Sequence, residues 1–179
     1  MKITNIFDAV RDGTFEEFIN FYSGDANFVN ENLGLSLLGL AVVNDKNQGE
    51  KLKIIRFLIA EGADINYADT KESRNALHIF YFNVLRPDPN YMLDVTKVLV
   101  ENGININKKD KYDAIPLKYA ITITKLPTDA IKSVYQYLLM HGADYNNRDN
   151  FGKSCMDYAN EYSWRNDVVE IIKEFENEN

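Results

Sequence analysis

Three runs of the chain set apolar residues at i, i+3, i+4 and i+7 with polar residues between them. They cover residues 52–59, 95–100 and 134–139, and each is followed closely by a glycine, Gly62, Gly103 or Gly142. That spacing predicts helices with one buried face. A glycine past each run stops the helix, because it takes the left-handed conformation at low steric cost. The three glycines are 41 and 39 residues apart, and a shorter copy at Gly24 lies 38 residues before Gly62.

A second pattern follows each glycine. Leu38, Leu77, Leu117 and Met156 sit at matching positions, spaced 39, 40 and 39 residues apart, each at the head of a short apolar stretch. Ser36, Asn75 and Ser154 precede these stretches as N-caps, whose side-chain oxygens accept from unpaired helix N–H groups. Pro116 falls where a first-turn proline is tolerated. Between glycine and cap lie polar turns, clearest at residues 110–114 and 149–153, where Asp, Asn and Gly supply hairpin geometry. Each unit therefore reads helix, loop, helix, glycine stop and extended connection.

Recurrence with a fixed period is the signature of a repeat array. The stretches Gly62-Ala63-Asp64-Ile65-Asn66 and Asn75-Ala76-Leu77-His78-Ile79-Phe80, with their later copies, resemble the ankyrin repeat over roughly residues 4–175. The resemblance implies an all-α solenoid of about five helix-loop-helix units joined by β-hairpin-like turns. It divides the single domain, residues 1–179, into an N-terminal capping unit (1–30), repeats at 31–68, 69–109 and 110–148, and a C-terminal capping unit (149–179). An acidic, polar outer end suits the last unit to its capping place.

The chain departs from that family in two ways. Its period is 39–41 residues where the family has 33. The extra residues fall between the two helices of the inner units, at 44–50, 84–91 and 124–129. Such loops either build a second binding edge or are length tolerated at little entropic expense. At residues 83–92 the binding reading is favoured, since Pro87 and Pro89 stiffen the backbone and Tyr91 and Met92 offer apolar contact. The motif histidine also survives only as His78. Gly39, Lys118 and Asp157 replace it elsewhere, and Ile115 stands at one cap position, so the polar network fails at Ile115 and Lys118 and stacking must compensate.

Composition narrows the function. With 20 basic and 27 acidic residues the formal net charge is −7. That balance disfavours a nucleic-acid backbone or an anionic membrane as partner. Cys155 is the sole cysteine, no apolar stretch reaches membrane-spanning length, and no secretory signal is visible at the start, so a cytoplasmic monomer is expected. No glycine-rich phosphate loop occurs, and one cysteine with two histidines makes no zinc site. No cofactor is expected. Cys155 with His141 is the one conceivable nucleophile–base pair, but Cys155 reads better as a buried small hydrophobe and His141 as a helix C-terminal residue. Glu16, Glu17 and Asp12 read as a solvated acidic face.

Repeat arrays offer concave surfaces. Carried over by position, the family's binding surface falls here on Leu33, Leu35, Lys71, Phe82, Lys111, Tyr112, Ile123, Phe151, Lys153 and Tyr162. Aromatic residues at such places are typical binding anchors, and the three lysines trace a basic stripe able to meet acidic groups. The implied function is a non-enzymatic protein–protein interaction module. The alternative is an immunity or inhibitor protein that occludes a cognate toxin or effector. A viral host-interaction protein is a related variant, since Leu77-His78-Ile79-Phe80-Tyr81 is similar to viral ankyrin repeats.

Overall fold

A computed structural model describes residues 2–178; Met1 and Asn179 lie outside the described residues. The chain is mostly helical with few strands. Among the described residues ten α-helices follow one another: α1 (Ile6–Asp12), α2 (Phe15–Phe21), α3 (Leu37–Ala41), α4 (Gln48–Ala60), α5 (Ala76–Asn83), α6 (Pro89–Glu101), α7 (Pro116–Thr122), α8 (Lys132–Met140), α9 (Cys155–Glu161) and α10 (Asn166–Glu178). Strands β1 (Val29–Asn30) and β2 (Leu35–Ser36) pair antiparallel, Val29 opposite Ser36 and Asn30 opposite Leu35.

The helices start where the cap residues stand. Ser36, Asn75 and Ser154 accept from the backbone N–H of Gly39, His78 and Asp157. His78 and Asp157 close the box by accepting the cap residue's own N–H, so Asp157 does the work of the missing histidine. Ile115 makes no side-chain cap, and Pro116 behind it removes one of the N–H groups that would need one. Helices α4, α6 and α8 stop at glycine. Gly62, Gly103 and Gly142 have φ of +83, +87 and +85°. At each, the glycine N–H and the next N–H fold back onto carbonyls of the last turn, a Schellman closure.

The odd-numbered helices pack in order, α1 on α3, α3 on α5, α5 on α7 and α7 on α9. The even-numbered helices do the same from α2 to α10. One apolar core runs between the two rows, filled from every unit by residues such as Leu38, Ile55, Phe80, Leu99, Leu117, Tyr135 and Ile172. A second seam is polar. Asn27, Asn66 and Asn107 donate Nδ2 to the carbonyls of Gly62, Gly103 and Gly142, at 3.1, 3.1 and 2.8 Å. Their Oδ1 atoms accept from the N–H groups of Asp64, Asn105 and Asp144. One asparagine thus ties each of these three helix stops to the stretch of chain before it.

Three expectations need correction. Tyr91 and Met92 are buried, 3% and 1% exposed, because Asp88 caps α6 with Pro89 in its first turn and turns both side chains into the core. They offer no apolar contact to a partner. Asp12 is not a solvated acidic residue: it accepts from Arg11 and Lys46 beside the buried Lys51, and Glu17 closes a capping box with Thr14. The turns of the last three units are also tight loops, and β1 and β2 are the hairpin strands among the described residues.

Candidate functional site

The loops preceding α5, α7 and α9 are built alike, each around one aspartate. Asp69, Asp110 and Asp149 are 6, 4 and 6% exposed. Asp69 accepts the N–H groups of Lys71, Glu72 and Arg74. Asp110 accepts those of Tyr112 and Ala114, and Asp149 those of Phe151 and Lys153. Burial opposes ionisation of Asp110, but the Tyr119 hydroxyl, the loop N–H groups and Arg74 outweigh it and hold the carboxyl below the ordinary carboxylate range. Ser73, Asp113 and Gly152 take positive φ just before each loop rejoins its helix. Neighbouring loops are joined by backbone bonds, Lys111 N–H to the Glu72 carbonyl and Asn150 N–H to the Tyr112 carbonyl, both 2.9 Å. The tips therefore stand in one row.

Behind this row cations and rings alternate. The Arg74 guanidinium lies 4.0 Å from the Phe82 ring centre and 4.9 Å from that of Tyr119. Lys118 Nζ lies 4.8 Å from Tyr119 and 5.2 Å from Tyr158, and Lys153 Nζ 5.5 Å from Tyr158. Beneath them Asp110 receives Arg74 Nε at 3.2 Å and the Tyr119 hydroxyl, while Asp149 receives the Tyr158 hydroxyl at 2.6 Å. Each cation–ring contact contributes roughly 0.5–2 kcal/mol according to its desolvation. Together they fix the floor of a groove.

Two adjoining hollows open on this floor, sharing Phe82 and Arg74. One, of about 280 Å³, gathers Leu33, Leu35, Lys71 and Phe82. The other, of about 320 Å³, gathers Phe82, Tyr112, Ile123 and Phe151. Phe151 is 68% exposed, Leu33 43% and Phe82 38%. Lys111 and Lys153 stand on the tips, paired with Glu72 and Glu161 at 2.6 Å each. Tyr162 is placed apart. It packs half-buried against the Trp164 ring, 5.8 Å between centres, and lines neither hollow. Two further hollows lie between α8 and α10 and contain none of the residues expected from the sequence.

Arg74, Lys118, Tyr119 and Tyr158 were not anticipated. The available signal is a spacing: Asp110 precedes Tyr119, and Asp149 precedes Tyr158, by nine residues. The reactive residues have structural surroundings. His78 is buried between the Asn75 cap and the Ala114 carbonyl, 3.0 Å from Nε2, and burial depresses its pKa to about 4. Cys155 is buried and its thiol is pushed up by that burial. His141 is exposed with Nδ1 2.8 Å from the Tyr137 carbonyl at the α8 C-terminus. Among the described residues no three His, Cys, Asp or Glu side chains gather as metal ligands, and no helix is long and apolar enough to cross a membrane.

No family model matches the chain. Over 67 residues, 37% of its length, it is 40% identical to the "Putative ankyrin repeat protein L271" of Acanthamoeba polyphaga mimivirus, of which it covers 8%. Over 129 residues, 71% of its length, it is 26% identical to the E3 ubiquitin-protein ligase KEG of Arabidopsis thaliana, of which it covers 7%. The chain spans less than a tenth of either relative. It is thus a mostly helical chain similar, over a little more than a third of its length, to an ankyrin repeat protein.

Proposed function

We propose that the chain is an ankyrin-type solenoid, one array of five units, that binds a protein partner through its groove and catalyses nothing. The units are those read from the sequence, with capping units at residues 1–30 and 149–179. One observation carries the reading: Phe82, Tyr112, Ile123 and Phe151 converge from three units on one hollow whose floor is held by charge and ring contacts. Exposed rings on a preorganised surface are what a protein interface uses as anchors.

The test is capture from a source lysate with wild-type protein beside Phe82→Ala/Phe151→Ala, both checked for equal helicity. A partner held by the wild type and lost by the variant supports the groove. A partner held equally moves the site to the outer helices or the inter-helix loops.

The inhibitor reading draws its support from the net charge of −7. It requires a basic target and seats that target on the acidic faces, such as the exposed Glu170, Glu174 and Glu178 of α10.

A further inference from the structure

Around the groove five cations and five carboxylates balance in number but differ in exposure. Three of the groove's carboxylates face inward, while Glu72, which lines the smaller hollow, and Glu161 stay accessible. Asp69, Asp110 and Asp149 are buried, and their oxygens are taken up by loop N–H groups, by Arg74 and by the Tyr119 and Tyr158 hydroxyls. Three of the ammonium groups face outward, while Lys118 is largely covered, its side chain 15% exposed. Lys71 is exposed, its Nζ donates to the Asn32 carbonyl, and it joins no ion pair among the described residues. The Lys111 and Lys153 side chains are each 42% exposed, answered by Glu72 and Glu161 alone. Lys118 lines the larger hollow, and its nearest carboxylate, Asp149 at 3.6 Å, is already bonded to Tyr158 and two backbone N–H groups. A chain of net charge −7 thus sets three exposed lysines against two accessible glutamates around the apolar hollows.

Resting on the groove reading above, we propose that the partner contributes an acidic segment. One bulky apolar side chain of that segment enters the hollow between Phe82, Tyr112 and Phe151. Carboxylates on either side of it meet Lys118, Lys71 and the tip lysines. A basic segment finds only Glu72 and Glu161 accessible, both already paired with lysines, because the other carboxylates are buried and bonded.

A displayed random-peptide library panned on the full chain tests this. Enriched peptides are expected to be acidic, to carry an aromatic or large aliphatic residue, and to lose about tenfold in affinity on Lys71→Glu/Lys111→Glu, a variant confined to exposed side chains. Phe82→Ala/Phe151→Ala is panned in parallel, with helicity checked for both variants. Neutral or basic peptides that need Phe82 and Phe151 overturn the acidic partner and leave the groove reading standing. Peptides that bind Phe82→Ala/Phe151→Ala as well as wild type overturn both. Failure to enrich any sequence overturns the inference.

Discussion

Lys51 shows how far single residues of this chain are committed to joining units. It projects from α4 with no exposed surface, and its ammonium group donates to the Val10 and Arg11 carbonyls at the end of α1. Arg165 repeats the device near the other end, donating from a buried guanidinium to the Ile121, Leu126 and Thr124 carbonyls past α7. Burial lowers the Lys51 pKa to about 7, against the opposing pull of Asp12, while Arg11 and Lys46 add to the lowering. The folded pKa lies below the unfolded one, so between pH 7 and about 10.5 the unfolded chain binds more protons and this residue's contribution to stability rises with pH. Replacement by Met removes that dependence. The stability of wild type relative to Lys51→Met, read from urea unfolding, is expected to increase steadily from pH 7 to 10. A difference that stays flat would show that the amine is solvated.

At the scale of elements, the α7 start tests which force holds a unit. Ile115 occupies the cap position without capping and is 1% exposed. Ile115→Ser supplies a cap worth about 1 kcal/mol. It also removes a buried aliphatic side chain, a loss of roughly 2–5 kcal/mol. The variant is therefore expected to be less stable by a few kcal/mol at most, in the same unfolding assay. A gain would mean that capping outweighs packing here. Much of this level was legible beforehand. Ser36, Asn75, Ser154 and the three glycines act through their own neighbours in sequence, and they sit where the periodicity put them. What escaped acts through space. Arg74 reaches Asp110 and Tyr119 in the next unit, and Lys118 reaches Asp149 and Tyr158 in the one after its own. A spacing of nine residues does not reveal a cation inserted from elsewhere. The burial of Tyr91 escaped for the same reason. Its ring direction depends on how α6 packs, and the core takes it, against Phe80.

For the whole molecule, apolar packing along the two helix rows and the asparagine seam make neighbouring helix pairs depend on one another. That coupling keeps the row of tips rigid, so little ordering is left to be done on binding. It also separates two surfaces, a cation-fronted groove on the loops and α5, α7 and α9, and an acidic flank on α10. The claim that the groove is the binding surface is tested most directly by amide hydrogen exchange of the full chain with and without its captured partner. Added protection is expected in the loops at 69–74, 110–114 and 149–153, with α4, α6 and α8 unchanged. Protection confined to those outer helices, or to the loops at 44–50 and 84–88, would contradict the account.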